Sequence, residues 1–278
     1  MQRFARSIAL LTAFACFAAA CSKVPITGRR QLNIIPESIM TGLGKSSYKQ
    51  TLSNKSIERD GKDVDVLKKV GGRISKVANR PDYEWRYALI NDKQINAWCL
   101  PGGYIGFYTG ILPVLENEAA MAFVMGHEVG HAVARHGSER LSQQLVLVGG
   151  LTGLAILADA KTDMTKEQTA IVFGALGVGA EVGILLPFSR AHESEADIIG
   201  MMYAASAGYP PGEGIALWDR MEASSKGVKL PAFVSTHPSN DKRQANMREW
   251  MPRAKKRFER NKLDYDTKKE LWGSTASR

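Results

Sequence analysis

Between Val64 and Ala78 apolar side chains recur at Val66, Val70, Ile74 and Val77, the spacing of a helix with one buried face. The stretch before it, Glu37 to Asn54, predicts a second helix. The rhythm then shortens. Trp85 to Ile90, Ile95 to Leu100 and Tyr104 to Tyr108 read as short strands, with Pro101-Gly102-Gly103 breaking the chain between the last two. From Ala119 to Val133 apolar residues take almost every position, which predicts a helix buried on all sides. A further helix opens at Ser189, a residue suited to accept from the free amides of a first turn, and runs through Glu193 and Asp197 into Ile198, Ile199, Met201 and Met202. The fold predicted is α+β, mainly α, with a small β-sheet beside the central apolar helix.

Two glycine-rich apolar stretches, 145–158 and 170–188, lie between the central helix and the helix after Ser189. The first has about 14 residues where roughly 20 are needed to span a bilayer, and Glu181 and four glycines interrupt the second. Packed helices are the expectation, with contact to the bilayer surface left open. No internal repeat or low-complexity tract is evident.

The start of the chain follows a different grammar. Arg3 and Arg6 precede an apolar run from Ile8 to Ala20, which reads as a secretory signal. Ala18-Ala19-Ala20-Cys21 resembles a lipobox, with Ala18 where Leu is more usual, so Cys21 is the expected lipidation site. A simple signal peptide cut near Ala20 and an uncleaved anchor are the alternatives. Ser22 after the cysteine resembles outer-membrane sorting, and the expected location is an outer-membrane lipoprotein facing the periplasm. The predicted organisation is a signal peptide at 1–20, a lipid-anchored tether at 21–36 marked by Pro25, Gly28 and Pro36, one catalytic domain at 37–263, and a flexible tail at 264–278.

Charge and cysteine content agree with that placement. The net charge is +9, and removing Arg3 and Arg6 with the acid-free signal leaves +7, a modest excess suited to anionic lipid headgroups. Much of the excess lies in Arg253, Lys255, Lys256, Arg257, Arg260 and Lys262, read as a solvated helix face, and no nucleic-acid partner is expected. Of 3 cysteines, Cys16 leaves with the signal and Cys21 carries lipid, so Cys99 has no partner for an internal disulfide.

The chemistry concentrates in His127-Glu128-Val129-Gly130-His131, inside the apolar helix. Residues four apart share a helical face, so both imidazoles can converge on one ion, with Glu128 beside it as a general base toward water. Burying these polar groups without partners is costly, and a metal removes that cost. Catalytic zinc takes three protein ligands. Glu193 is the third ligand chosen, with Asp197, one turn on, as the carboxylate that orients His127 or His131 from behind. Glu195 is about 200° around the helix from Glu193 and reads as a solvated charge. His192 and His136 read as structural or rim residues. His237, before Pro238, is held in extended backbone. Its spacing leaves three roles open: oxyanion partner, occupant of the open metal position in a latent form, or a histidine capping the next helix.

Four blocks in order carry a resemblance: Asn96-Ala97 with Pro101-Gly102-Gly103-Tyr104-Ile105; His127 to His131; Ser189-Arg190 with Glu193 and Asp197; and Ser235-Thr236-His237-Pro238 with Arg243. Over roughly residues 28 to 250 the chain resembles the gluzincin-type zinc metallopeptidase family of HtpX, the CAAX prenyl proteases and the Oma-type mitochondrial protease. Its LoiP-like and BepA-like periplasmic lipoprotein branch looks nearest. Ending at Arg278 without a tetratricopeptide extension favours the short LoiP-like form. The resemblance implies one Zn2+ per chain held by His127, His131 and Glu193, with Glu128 as catalytic base and an active-site role for His237. It implies that the strand of Gly103, Tyr104 and Ile105 rims the cleft; an exposed edge there would bind substrate as an extended peptide, and an ordinary paired strand is the alternative. It further implies cleavage of misfolded or stalled envelope proteins, with the envelope assembly machinery as a possible partner. The competing expectation is a non-proteolytic chaperone or adaptor with a structural zinc site.

Overall fold

The computed structural model describes residues 21–144, 189–225, 237 and 241–262. The signal segment, the helices expected at 145–158 and 170–188, and the tail from 264 lie outside these residues.

The long helices are α1 (Glu37–Ser53), α2 (Lys62–Ala78), α4 (Glu118–Val133), α5 (Arg190–Ser206), α6 (Glu213–Ser225) and α7 (Asp241–Asn261), with a short α3 (Leu112–Leu115). Every residue of α4 is buried, as its unbroken apolar sequence requires. Asn117 caps it, the side-chain oxygen accepting from the Ala120 amide at 2.9 Å. Helix α2 lays Val66, Leu67, Val70 and Ile74 into the core shared with α4.

Strands β3 (Ile57–Glu58), β4 (Arg86–Ile90), β5 (Ala97–Leu100) and β6 (Tyr104–Tyr108) form one sheet in the order β3-β4-β6-β5. Strand β6 runs parallel to β4, with Arg86 opposite Tyr104, and antiparallel to β5, with Cys99 opposite Ile105. It is therefore a central strand, buried at all five positions. Of the two readings open for the strand of Gly103, Tyr104 and Ile105, exposed edge and ordinary paired strand, the structure takes the second: both sides of β6 are committed to neighbours, and among the described residues the outer strands are β3 and β5. Strand β5 packs on α4 and carries Cys99, a free thiol.

The site depends most on how α4 meets α5. A Cβ placed on Gly126 would lie 2.8 Å from the Gly200 carbonyl oxygen, and one on Gly200 would lie 2.7 Å from the His127 amide nitrogen. Only glycine at both positions lets the two backbones touch. That contact sets the histidines of α4 against the carboxylates of α5.

Residues 21–36 do not form the free tether expected of them. Strands β1 (Cys21–Lys23) and β2 (Arg30–Leu32) pair as an antiparallel hairpin. Pro25 and Gly28, which read as linker punctuation, instead build its turn, with Ile26 and Gly28 at φ 70° and 73°. Val24 and Ile35 are buried, and Gln31 Nε2 donates to the Ala134 carbonyl at 2.6 Å. Apolar burial and these polar contacts hold the segment on the domain.

Candidate metal centre

His127 and His131 stand one turn apart on α4, and their Nε2 atoms are 3.1 Å apart. Glu193, in the first turn of α5, reaches both, with oxygens 3.4 Å from each Nε2. Ser189 holds that turn by accepting from the His192 amide at 3.2 Å. His237 completes the group, with Nδ1 3.2 Å from His127 Nε2 and 3.0 Å from Glu193 Oε2. Donor atoms of all four residues lie within 4.8 Å of one another, and all four side chains are buried.

These residues fit a metal ion. Asp197 accepts from Nδ1 of His127 at 3.0 Å, which leaves the His127 Nε2 lone pair aimed at the Glu193 carboxylate and the facing imidazoles. Buried electron pairs that converge in this way repel unless a cation lies between them. Imidazole nitrogens with one carboxylate are a donor set that suits zinc.

Behind the donors stand two supports. On one side, Arg243 clamps Asp197 through Nε at 2.6 Å and a second nitrogen at 2.8 Å. Its third nitrogen lies 3.1 Å from Glu193 and donates to the His237 carbonyl at 3.2 Å. Burial opposes ionisation of Asp197, but Arg243 and His127 outweigh it and hold the carboxyl below its usual range. On the other side, His131 Nδ1 meets His136 Nδ1 at 2.9 Å, and His136 Nε2 meets Glu195 at 3.0 Å. Burial pushes His136 down to about 4, so it is neutral at physiological pH.

Glu128 lies beside the donors, buried, with Oε1 3.5 Å from His237 Nε2 and without a hydrogen-bond partner among the described residues. Burial pushes its carboxyl up to about 8.

The structure thus brings together His127, Glu128, His131, Glu193, Asp197 and His237, and gives Asp197 to His127. It corrects Glu195, which is not solvated. Glu195 does face away from the donors, but there it is buried and accepts from Thr27, Arg29 and His136. His136 and His192 stack at 4.4 Å, and His192 Nε2 meets Glu139 at 2.9 Å. The link from His136 to His131 escaped helical spacing because α4 ends first: Arg135 takes a left-handed φ of 58°, and a new helical segment starts at 136. Gly103, Tyr104 and Ile105 are buried in the sheet.

Residues 62–251, more than half of the chain, match Peptidase family M48. The chain belongs to peptidase family M48. It is 32% identical over 248 residues to the mitochondrial metalloendopeptidase OMA1 of Schizosaccharomyces pombe, covering 88% of this chain and 70% of that protein. To the Saccharomyces cerevisiae mitochondrial metalloendopeptidase OMA1 it is 34% identical over 191 residues, 64% of this chain and 50% of that one. To the beta-barrel assembly-enhancing protease of Yersinia pestis it is 28% identical over 188 residues, 66% of this chain and 38% of that one. The M48 chain thus spans half or less of the last two relatives. Its family makes it a metallopeptidase, and the His-Glu cluster is where an M48 metal would sit. Among the described residues no helix is long and apolar enough to cross a membrane.

Proposed function

We propose that this M48 protein is a zinc-dependent metalloendopeptidase of the bacterial cell envelope, lipid-anchored through Cys21 at the outer membrane and facing the periplasm. Its proposed substrates are misfolded or stalled envelope proteins, cleaved in quality control. The signal segment with Cys21 supports the placement, and a Yersinia relative named for β-barrel assembly supports the envelope role. The observation that carries the catalytic reading is Glu128: a buried carboxyl with an oxygen that lacks a hydrogen-bond partner among the described residues, set against four convergent donors.

Zinc held by His127, His131 and Glu193 would polarise the scissile carbonyl and bring the acidity of water to about pKa 7. Glu128 takes the water proton and passes it to the leaving amine. Asp197 and Arg243 keep His127 and Glu193 aimed while charge develops. The outer edge of β5, unpaired among the described residues and packed on α4, offers main-chain groups to an extended peptide. His237 steadies the oxyanion once it swings clear of Glu193.

One observation favours a second reading. With Nδ1 of His237 among the donors the set is closed to four protein ligands, the arrangement of a structural zinc site or of a latent enzyme. Replacing Glu128 by Gln separates catalyst from chaperone. Zinc content should be unchanged and cleavage of an unfolded test protein such as reduced casein should fall at least a hundredfold; undiminished cleavage would exclude the catalytic role. Cys21→Ser should move the protein from the membrane to the soluble fraction, and an unchanged distribution would exclude the lipid anchor.

A further inference from the structure

The N-terminal hairpin lies outside the residues matched to the family, yet it touches the support behind His131. Its turn aims Arg29 at two carboxylates from different helices. Arg29 Nε donates to Glu195 Oε2 at 2.7 Å, and its two terminal nitrogens reach Glu139 at 2.9 and 2.7 Å. Two further contacts fix the hairpin: Thr27 donates to the other Glu195 oxygen, and Gln31 bonds the carbonyl at the end of α4. Glu195 Oε2, the oxygen that Arg29 holds, is also the one facing His136 Nε2 at 3.0 Å.

The proton positions along this chain of contacts follow from the metal's demand. A histidine that binds metal through Nε2 carries its hydrogen on Nδ1 and needs an acceptor there. For His131 that acceptor is His136 Nδ1 at 2.9 Å, so the hydrogen of neutral His136 must sit on Nε2. The Nε2–H in turn needs the Glu195 oxygen in place to accept it. If Glu195 turned away, His136 could carry its hydrogen on Nδ1, donor would face donor, and His131 would move its own hydrogen to the metal-binding nitrogen.

We propose that Arg29 is a positioning residue for the metal centre, fixing Glu195 and through it the His136 tautomer that leaves His131 Nε2 free to bind metal. This rests on the metallopeptidase reading of the cluster. Docking of the hairpin and metal retention are thereby coupled.

The experiment measures zinc affinity of the full chain by competition with a chromophoric chelator, together with the absorption spectrum of the Co2+-substituted protein. Arg29→Gln should bind zinc about tenfold more weakly and alter the Co2+ bands, with Arg29→Lys falling between it and the wild type. In a His136→Asn background Arg29→Gln should cause no further loss, because the path is already cut. Wild-type affinity in R29Q, or an equal loss in both backgrounds, overturns the positioning role while leaving the metal reading intact. A wild type that binds no zinc overturns both. Should R29Q not fold, R29K carries the same comparison across the two backgrounds.

Discussion

Glu128 gives a stability prediction that can be worked through before any activity is measured. In metal-free protein its carboxyl is pushed up from 4.5 to about 8 by burial. Below pH 4.5 the group is protonated in both folded and unfolded chains and costs nothing. As pH rises the unfolded chain releases its proton while the folded one retains it, so stability is lost progressively up to the folded value. At pH 7 the gap spans about 2.5 pH units, or about 3 kcal/mol at about 1.4 kcal/mol per unit, and at pH 5 it is under about 1 kcal/mol. Glutamine has the same shape and no charge to suppress. Glu128→Gln should therefore melt higher than wild type in chelator-stripped protein, by roughly 6 to 12 °C at pH 7 and by about 2 °C at pH 5. Scanning calorimetry at both pH values reads this directly. A Tm gain independent of pH, or a loss at pH 7, would refute the assignment of Glu128 as a buried carboxyl whose charge is suppressed.

Three further variants probe the helices that carry the site. Glu193→Ala should lose most bound metal by elemental analysis at saturating zinc, while Glu195→Gln, which faces Arg29 and keeps an oxygen able to accept from His136, should stay occupied there and bind only more weakly, as Arg29→Gln does; the reverse result would show that the ligand carboxylate has been misassigned. Gly200→Ala should destabilise by about 1–3 kcal/mol in chemical denaturation, because the new methyl would lie 2.7 Å from the His127 amide; an unchanged midpoint would show that the helix contact is not tight.

Local rules made half of this site readable and hid the rest. His127 with His131 and Glu193 with Asp197 are each one helical turn apart, so side-chain direction follows from 3.6 residues per turn. The burial of α4 was equally plain, since no polar face interrupts it. Rotation about a helix says which way Glu195 points and nothing of what waits there, and its partner Arg29 lies 166 residues away. Strand patterns located β4, β5 and β6, but sheet order depends on non-local pairing, so the central position of β6 and the outer position of β5 were not legible. The hairpin failed for another reason. Proline and glycine signal a turn and a linker alike, and only the burial of Val24 and Ile35 distinguishes them.

The contact of Gly126 with Gly200 acts as a gauge for the metal centre. Glu193 and Asp197 are placed by where α5 touches α4, with Arg243 of α7 bracing them, so the spacing of the ligands is set by backbone meeting backbone and tolerates no added methyl at either glycine.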